Sequence, residues 1–320
     1  MKAAFYGANG GPEVLHYGDV SEPELAPDSV LIRVASISIE GGDILNRRIV
    51  PPSGPFHVGG YQAAGTVEAL GAAVTRFRVG DRVVGFGWSG SHAELFAVSQ
   101  DHAFPVPAEL DLDLAAVAPI AFGTASDALF EFGCLAAGET VLIQGAAGGV
   151  GLAAVQLAAQ AGATVIATAS SDERLAHLQE YGASLGINYL TEDIGQAALE
   201  LTSGQGVDLV VDLAGGRSLQ NLVFSLRHRG RFSVVGASSG SLPSFGFMEI
   251  LSKCLTLHGI FFGLEMHTPR AHALIDDAFS ALAEGRLRMP IAQTLSLRDT
   301  REAHRVVEQD HPFGRVIVKA

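Results

Sequence analysis

Residues Val141 to Arg174, VLIQGAAGGVGLAAVQLAAQAGATVIATASSDER, contain no charged residue before Asp172. By count alone, an uncharged run of this length is long enough to span a lipid bilayer. Glycines interrupt it at positions 145, 148, 149, 151 and 162, and its three glutamines are costly to place in lipid. We therefore interpret the run as buried elements of a folded domain and not as a membrane span.

The run divides into a strand, a glycine loop, a helix and a second strand. TVLIQG is a β-branched apolar segment that ends in glycine, which is typical of a buried parallel strand. Val150, Ala154, Leu157 and Ala161 then recur at helical spacing, and Gly162 stands where a left-handed helix cap belongs. Because ATVIATA follows as a second strand, the sequence predicts a β-α-β unit.

The composition of the whole chain is that of a well-buried α/β enzyme. Its 320 residues are 48% hydrophobic and 17% charged, and a chain of this length predicts two domains. The formal net charge of -13 argues against nucleic acid as a partner, because binding it requires cations that neutralise phosphates. Cys134 and Cys254 form no C-x-x-C pair and MKAAFYG does not resemble a signal peptide, so we expect reduced thiols in a cytoplasmic protein.

The pattern of elements changes along the chain. Short β-like segments such as SVLIRVASISI and GDRVVGFG predict an antiparallel, partly barrel-like domain up to about residue 115. Strands and helices then alternate, including a helix SLQNLVFSLRHRG closed by Gly230 and a helix PRAHALIDDAFSALAEG closed by Gly285. This alternation predicts a doubly wound parallel sheet. The remaining tail returns to a strand, a helix and a strand, which we expect to rejoin the first domain.

The loop AAGGVG, Ala146 to Gly151, matches a dinucleotide-binding motif with alanine in the first glycine position. Such a loop needs a tight turn, a residue without a side chain where the backbone approaches a pyrophosphate, and close packing of helix on strand. Gly148 fits the second need and Gly151 the third. The helix N-terminus offers free N–H groups to the anion, which predicts contacts from Ala147, Gly148, Gly149 and Val150.

The end of the second strand indicates which cofactor is bound. NAD enzymes place an acidic residue there to hold the ribose 2′-hydroxyl, whereas this chain has Ser170, with Arg174 one helical turn later. A hydroxyl and a guanidinium suit a 2′-phosphate, so the sequence favours NADPH. The alternative is that Arg174 only pairs with Asp172 or Glu173 on an exposed helix face.

The chain resembles the zinc-independent quinone oxidoreductases, the zeta-crystallin-like branch of the medium-chain dehydrogenases/reductases. The resemblance rests on the glycine-loop segment, on GDRVVGFG and SHAELFAVS before it, and on EAHRVVEQDHPFGRVIV near the end. It implies a discontinuous GroES-like β-barrel domain over residues 1–115 and 286–320, and a Rossmann domain with a doubly wound parallel sheet over residues 116–285.

The resemblance also implies further cofactor contacts. Ser170, Arg174 and Tyr189 match the residues that surround the 2′-phosphate in that family, which strengthens the case for NADPH. A second group matches segments that border the nicotinamide: Thr124, Gly236, Phe261 and Phe262.

Zinc relatives in the same superfamily carry cysteine and histidine ligands, which this chain lacks. Their ligand positions correspond here to Glu40, to Tyr61 and Gln62 of GYQ, and to a position near Phe122. We therefore expect no metal site, and we expect the histidines to be scattered at the surface. Glu40 also departs from the quinone oxidoreductases, which commonly have asparagine there, and this predicts a different substrate pocket.

The expected reaction is hydride transfer from NADPH to a quinone or an α,β-unsaturated ketone. Without zinc, the oxygen that becomes negative needs a hydrogen-bond donor, and Tyr61 is the candidate, although it can also be a lining aromatic residue. Glu40, Tyr61 and Trp88 are assigned to the substrate pocket. Trp88 either stacks on a flat substrate or caps the barrel, and Asp43 is expected to be a structural turn acceptor.

Two other classes of function stay open. A zinc-free alcohol dehydrogenase or an enoyl reductase has the same fold with another acceptor, and some relatives are non-enzymatic nucleotide-binding proteins. For assembly, the apolar segment LTLHGIFF lies near the predicted sheet edge, and edges favour pairing. Together with the resemblance, this predicts a homodimer that binds neither membrane nor nucleic acid.

Overall fold

The apolar segments identified above become strands and helices in the computed structural model, which describes residues 1–241 and 244–320. In chain order, the strands are β1 (Lys2–Tyr6), β2 (His16–Asp19), β3 (Ser29–Ser38), β4 (His57–Val58), β5 (Gln62–Leu70), β6 (Arg82–Phe86), β7 (Leu95–Ser99), β8 (Ala103–Pro105), β9 (Thr140–Gln144), β10 (Thr164–Ala169), β11 (Leu185–Asn188), β12 (Val207–Asp212), β13 (Leu226–Val234), β14 (Thr256–Gly259), β15 (Ile291–Ser296) and β16 (Arg315–Lys319).

The helices alternate with strands mainly in the middle of the chain. They are α1 (Gly41–Ile49), α2 (Leu112–Ser126), α3 (Gly149–Gln160), α4 (Asp172–Gln179), α5 (Ile194–Leu201), α6 (Leu219–Ser225), α7 (Phe247–Ser252), α8 (Pro269–Ala283) and α9 (Thr300–Arg305). Helix α2 continues as a π-helical segment over Asp127–Glu131, and α9 continues in the same way over Val306–Asp310.

By their contacts, the residues group into two units, one formed by Met1–Ile120 with Gly263–Ala320 and the other by Ala121–Phe262. Both ends of the chain thus belong to the same unit. The second break precedes helix α8, which the sequence analysis assigned to the Rossmann domain. The domain boundaries at 115 and 285 stay predictions.

The unit Ala121–Phe262 contains the predicted doubly wound sheet. Its six strands lie in the order β11-β10-β9-β12-β13-β14, and every neighbouring pair is parallel. The order reverses between β9 and β12, so the loops after these two strands flank a topological switch point, where α/β sheets bind ligands. Leu142, Ile166, Val210 and Phe232 supply core from four strands, and Leu222 packs on them from α6.

The other unit is mainly antiparallel. Its larger sheet has the order β15-β16-β3-β5-β6-β8, with β7 also paired to β3, and β15 with β16 is its parallel pair. A smaller antiparallel sheet has the order β2-β1-β4. Strand β16, from the end of the chain, pairs with β3 near the beginning, so both ends of the chain contribute to one sheet.

One predicted element is wrong in its extent. The helix expected to run to Gly230 ends at Ser225, and strand β13 begins at Leu226. The Lys253 ammonium donates to the carbonyl oxygens of Val223, Phe224 and Leu226. A lysine that satisfies the last carbonyls of a helix acts as a C-terminal cap, and it comes from a residue far along the chain that local periodicity does not reveal.

Among the described residues, one helical segment, Leu112–Glu131, is long and apolar enough to cross a membrane by length and composition. In this fold, 67% of its apolar window is buried inside the protein. The core helix of a globular protein has the same composition. The run 141–169 forms the predicted strand, loop, helix and strand.

Candidate cofactor and substrate sites

The glycine loop joins β9 to α3 at the carboxyl edge of the parallel sheet. Gly145 has a φ of +77°, which favours glycine and produces the tight turn. Gly148 is the N-cap residue of α3, and no side chain caps this helix end. The first N–H groups of a helix have no intrahelical acceptor, so this uncapped end presents backbone donors and the positive end of the helix dipole to an anion.

The two glycines singled out in the sequence differ in what surrounds them. A Cβ on Gly151 would lie 2.3 Å from the Gly145 carbonyl oxygen and 2.6 Å from Ala146 Cα, so the helix can pack on the loop only if this residue is glycine. A Cβ on Gly148 would meet the Gly145 carbonyl oxygen at 3.7 Å, an ordinary contact. Gly151 is therefore required by protein packing, whereas the space over Gly148 is open to a ligand.

The residues predicted to surround a 2′-phosphate share one corner of the sheet. Strands β10 and β11 pair in register, with Ala169 opposite Asn188, and the Tyr189 N–H donates to the Ala169 carbonyl oxygen at 3.1 Å. Ser170 and Tyr189 thus follow adjacent strand ends, and the Tyr189 side chain is 45% exposed. Arg174 lies in the first turn of α4, where its N–H donates to the Ser171 hydroxyl.

Asp172, one of the two acidic residues near Arg174 in the chain, also contacts the end of β11. Its Oδ1 accepts a hydrogen bond from the Asn188 side-chain amide at 2.9 Å. This bond links the start of α4 to the end of β11. No carboxylate stands at position 170, so the corner holds hydroxyl, phenol and guanidinium groups where an acid is expected in NAD enzymes.

Of the residues predicted to border the nicotinamide, Gly236 follows β13, Phe261 and Phe262 follow β14, and Thr124 lies in α2. The Gly236 N–H donates to the Asp212 carbonyl oxygen at 3.2 Å, and a Cβ on Gly236 would lie 2.8 Å from the Leu213 carbonyl oxygen. Phe261 is exposed, whereas the Phe262 side chain is 1% exposed. Phe262 packs on α2 where Gly123 precedes the half-buried Thr124, so only its backbone is available to a ligand.

Asp212, at the end of β12, is a buried carboxylate that the sequence analysis did not single out. Its Oδ1 accepts hydrogen bonds from the N–H groups of Ala214 and Gly215, whereas its Oδ2 is buried with no hydrogen-bond partner in the described part of the chain. Burial raises the pKa of this carboxyl, and the two N–H donors oppose that rise. The sequence does contain a signal for this carboxylate: an acidic residue ends the buried strand VDLVVD, next to the switch point.

In the other unit, Glu40 is buried in a polar network. Its Oε1 forms an ion pair with Arg315 at 2.5 Å and accepts a hydrogen bond from the Ser38 hydroxyl at 2.8 Å. Burial raises the pKa of Glu40, and the positive charge of Arg315 opposes that rise. The Gln62 amide lies 3.4 Å from the same oxygen. Glu40 stands where quinone oxidoreductases commonly have asparagine, and its negative charge is balanced by Arg315 from the last strand.

Tyr61 lies over the start of helix α1. Its hydroxyl oxygen would be 1.9 Å from a Cβ on Gly42, so it occupies the space that the glycine leaves. Burial raises the pKa of Tyr61 well above the ordinary phenol value, and the carboxylates of Asp43 and Glu40 raise it further. The phenol therefore stays protonated at neutral pH and is a hydrogen-bond donor.

The other residue assigned to the pocket, Trp88, is 53% exposed. Its ring meets Phe86 edge-on with centroids 5.3 Å apart, and Phe86 lies 5.9 Å from the Tyr61 ring. Tyr61, Phe86 and Trp88 thus form a row of aromatic rings in which Phe86 is buried. The exposed Trp88 ring is the member suited to stacking on a flat apolar ligand.

The expectation that the histidines lie scattered at the surface is wrong for two of them. His92 is 1% exposed and His304 is 2% exposed, and their ring centroids are 5.1 Å apart. His92 Nε2 lies 3.7 Å from Asp43 Oδ2, which also accepts the Glu40 N–H at 2.8 Å as expected of a turn acceptor. The two histidines are separated by most of the chain, so no sequence motif joins them.

The positions that hold zinc ligands in relatives are occupied here by groups with other partners. The Gln62 amide nitrogen donates to the Ala116 carbonyl oxygen, and its oxygen accepts the Ile120 N–H. Glu40 is paired with Arg315. Within residues 1–241 and 244–320, no group of three or more His, Cys, Asp or Glu side chains is arranged to hold a metal ion.

Comparisons with known proteins agree with both units. A sequence model described as "Alcohol dehydrogenase GroES-like domain" matches residues 26–108, and one described as "Zinc-binding dehydrogenase" matches residues 149–277. The chain is 33% identical to a quinone oxidoreductase of Pseudomonas aeruginosa over 98% of each chain. It is 31% identical to a 2-haloacrylate reductase of a Burkholderia species over 99% of this chain and 98% of that protein.

Solved structures give the same result. The fold matches a quinone oxidoreductase of Pseudomonas syringae with a TM-score of 0.95 at 29% identity, over 100% of this chain and 99% of the other. It matches the Escherichia coli quinone oxidoreductase complexed with NADPH with a TM-score of 0.95 at 26% identity, over 100% of both chains. With a GroES-like domain, a Rossmann sheet and full-length similarity, this chain belongs to the quinone oxidoreductase family of the medium-chain dehydrogenases/reductases.

Proposed function

We propose that this protein is an NADPH-dependent oxidoreductase that reduces a quinone or an α,β-unsaturated carbonyl compound without zinc. The observation that carries the proposal is the sheet corner where the uncapped start of α3 lies beside strand ends that bear Ser170 and Tyr189 and no acid. The NADPH complex of the Escherichia coli relative supports it. When bound, NADPH supplies the hydride, and the protein supplies position and electrostatics.

The glycine loop is proposed to hold the pyrophosphate. Its backbone N–H groups, from Ala147 to Val150, are the donors nearest the uncapped helix end. The open space over Gly148 admits a phosphate close to the backbone. These features fit the group that the family binds, since anions are stabilised at helix N-termini by the same donors and dipole.

The 2′-phosphate is proposed to bind between Ser170, Arg174 and Tyr189. A guanidinium binds phosphate oxygens with paired hydrogen bonds, and hydroxyl groups add further donors. A carboxylate at position 170 would repel the phosphate. The corner therefore selects NADPH over NADH in two ways. The guanidinium and hydroxyl groups attract the 2′-phosphate of NADPH, and no carboxylate is present to hold the free 2′-hydroxyl of NADH.

Steady-state kinetics with both cofactors test this assignment. Loss of a hydrogen bond to a charged group costs about 1.5–3 kcal/mol, so Arg174→Ala should raise KM for NADPH roughly 10- to 150-fold and leave KM for NADH unchanged. Ser170→Asp should reverse the preference toward NADH. Arg174→Lys is the matched control, because it keeps the charge and should lose only part of the effect. A wild-type enzyme that prefers NADH would contradict the assignment.

Tyr61 is proposed to stabilise the oxygen on which negative charge develops. Its pKa is raised by burial and by the nearby carboxylates, so it enters the reaction as a protonated donor. A hydrogen bond from a positioned donor strengthens as negative charge develops on the acceptor oxygen, which lowers the barrier.

Tyr61→Phe tests this role with little change in shape. Removing one donor to a developing oxyanion costs roughly 10²- to 10³-fold in kcat in well-studied enzymes, and we expect a loss toward the lower end here because water can also supply a proton. KM for NADPH should not change. Phe86→Leu is a control for packing beside Tyr61. Unchanged kcat for enones and quinones in Tyr61→Phe would show that Tyr61 is only a lining residue.

The proposal excludes zinc from the reaction because the side chains at the relatives' ligand positions already have partners. Gln62 is bonded to backbone groups of Ala116 and Ile120, and Glu40 is paired with Arg315. Moving either one to a metal would leave the buried Arg315 or the backbone groups unsatisfied, which is costly. Stoichiometric zinc in the purified, active enzyme would contradict this part of the proposal.

A second candidate acceptor is an α,β-unsaturated acid. The full-length similarity to a 2-haloacrylate reductase favours it. An NADPH-oxidation screen over quinones, enones, unsaturated acids and aldehydes separates these acceptors, and turnover of aldehydes alone would favour an alcohol dehydrogenase. Tight NADPH binding with no turnover of any acceptor would favour a non-enzymatic, nucleotide-binding role. The expected location of the protein is the cytoplasm.

A further inference from the structure

A cluster of buried polar side chains lies under the start of helix α1. Asp43, Ser91, His92 and His304 are each at most 4% exposed. His92 Nε2 lies 3.7 Å from Asp43 Oδ2, and the His92 ring meets the His304 ring edge-on with centroids 5.1 Å apart. Gly60 has a φ of +81°, and a Cβ there would lie within 2.5 Å of both His92 and the Ser91 hydroxyl, so these two groups face the same backbone turn.

Most polar atoms of this cluster lack a hydrogen-bond partner within the described residues. They are Asp43 Oδ1, Ser91 Oγ, both ring nitrogens of His92, and His304 Nε2. Buried polar atoms in proteins are nearly always satisfied, and an unpaired one is costly. Internal waters commonly supply the missing bonds where several polar groups converge. The convergence of carboxylate, hydroxyl and imidazole atoms is the chemistry of an internal water site.

The charged and titratable groups that face His92 come from three elements. Helix α1 contributes Asp43, α9 contributes His304, and β1 contributes Tyr6, since a Cβ on Gly59 would lie 3.2 Å from Tyr6 and 3.5 Å from His92 Nδ1. Behind His304, Arg47 is fully buried. Negative charge therefore lies on the Asp43 side of His92 and positive charge on the far side of His304.

His304 does not transfer protons in this arrangement. Arg47 Nη1 lies 2.8 Å from His304 Nδ1, and because a guanidinium only donates, Nδ1 must accept and the ring carries its proton on Nε2. Arg47 also pairs with Glu308 at 2.5 Å. Since Arg47 keeps its proton, a proton cannot leave the cluster through His304. The role of His304 and Arg47 is to hold the His92 ring in place.

Other polar side chains lie on the opposite side of His92, toward the surface. Tyr6 meets His57 edge-on with ring centroids 5.0 Å apart, and His57 Nδ1 lies 2.9 Å from the hydroxyl of Ser53, which is at the surface. Toward the interior, Asp43 caps the turn that includes Gly42, over which the Tyr61 hydroxyl lies. Polar side chains thus lie on both sides of the His92–Asp43 pair, one group toward the surface and the Tyr61 hydroxyl toward the interior.

We propose that Asp43 and His92 bind an internal water and form a relay that returns a proton to Tyr61. This inference rests on the proposed donor role of Tyr61. In each turnover the substrate carbon gains the hydride, and its oxygen takes the Tyr61 proton. The tyrosinate then takes a proton from the water, the water takes one from one ring nitrogen of His92, and the other ring nitrogen of His92 takes one from solvent. Asp43 holds the water and the His92 ring, so His92 and Asp43 are positioning and relay residues that do not touch substrate.

Variants at His92 test the relay together with Tyr61→Phe. His92→Phe keeps a ring for packing and His92→Gln keeps hydrogen bonding, but neither carries a transferable proton. Each should lower kcat about ten-fold, with a change in the pH profile of kcat and KM unchanged. This is less than the roughly 10²- to 10⁴-fold lost with a direct acid or base, because solvent can also return the proton to Tyr61. In a Tyr61→Phe background they should lower kcat no further. His304→Asn, which keeps an acceptor for Arg47, should leave the pH profile unchanged.

Measurements without cofactor test the same link independently of activity. A high-resolution crystal structure should show a water bonded to Asp43 Oδ1 and to a His92 ring nitrogen. In ¹⁵N NMR of the cofactor-free protein, the His92 ring signals should shift in Tyr61→Phe.

Different failures separate the two proposals. If Tyr61→Phe leaves kcat unchanged, the donor role fails, whatever the His92 variants do. Two results would overturn the relay while leaving the donor role of Tyr61 intact. One is that the His92 substitutions lower kcat by the same factor in the wild type and in Tyr61→Phe. The other is a high-resolution crystal structure with no water between Asp43 and His92.

Discussion

At the residue scale, His304 is the side chain whose charge state most clearly follows from its surroundings. Burial lowers the pKa of His304 well below its usual value, and the nearby His92 and Arg47 lower it further. Arg47 donates to its Nδ1, so a protonated ring would lose this bond and would lie beside a buried cation. His304 is therefore neutral in the folded state at neutral pH.

This charge state predicts a loss of stability in mild acid. Below pH ~6.5, the unfolded chain binds a proton at His304 that the folded chain does not bind, so stability falls as the pH falls. Between pH 7.5 and 5.5, the free energy of unfolding should lose about 1.4 kcal/mol through this residue. His304→Asn keeps an acceptor for Arg47 and removes the titration. Urea unfolding of both proteins at the two pH values tests this, and an equal loss in both would contradict it.

Residue types near the cofactor could be predicted from the sequence, whereas the pairing of distant residues could not. The glycine loop, Ser170 and Tyr189 follow strand ends, and strand ends of a parallel sheet meet at one edge whatever the rest of the chain does. Glu40 and Arg315 lie near opposite ends of the chain and meet only because β16 pairs with β3. Their buried ion pair depends on tertiary structure, so no local pattern indicates it.

At the element scale, the same limit explains why one helix was predicted too long. The segment after Ser225 contains residues compatible with a helix, and Gly230 is a typical helix terminator. Lys253 nevertheless caps α6 at its last carbonyls, and β13 continues beside β12 in register from Leu209 and Arg231 onward. Sheet pairing overrode local propensity there, whereas β9, α3 and β10 agree with their local patterns because each is buried by its immediate neighbours.

The junction of β9 and α3 yields a prediction that separates folding from binding. Gly151→Ala places a Cβ against the backbone oxygen of Gly145 and should lower stability by roughly 1–3 kcal/mol. Gly148→Ala meets no such contact, so its melting temperature should change little, since alanine at an N-cap costs about 1 kcal/mol or less relative to glycine. It fills the space proposed for the pyrophosphate, so NADPH binding should weaken about ten-fold or more.

Thermal melts with and without NADPH, together with a fluorescence titration, measure both quantities for the two variants. Gly54→Ala is a control, because a Cβ there meets nothing within 4 Å. If Gly148→Ala binds NADPH as tightly as the wild type, the cofactor does not approach the loop at this residue, and the assignment of the pyrophosphate is wrong.

At the scale of the whole molecule, we propose a homodimer that pairs through strand β14. The strand is the last in the parallel sheet, so one of its sides has no neighbour in the order β11-β10-β9-β12-β13-β14. Exposed apolar side chains lie close to it in the chain, including Leu251 before the strand and Phe261 after it. An open edge flanked by apolar groups favours pairing with a second copy over exposure to water.

Gly259, at the end of β14, offers a substitution that acts only on this interface. A Cβ there would meet nothing within 4 Å, so Gly259→Glu should leave the folded chain intact while placing a carboxylate, and its copy from the partner, in any edge-to-edge contact. Two buried like charges are costly, and the variant should elute as a monomer in size-exclusion chromatography with light scattering, whereas the wild type and Gly54→Glu should elute as dimers. A monomeric wild type at micromolar concentration, or a Gly259→Glu dimer as stable as the wild type, would mean that β14 is not the interface.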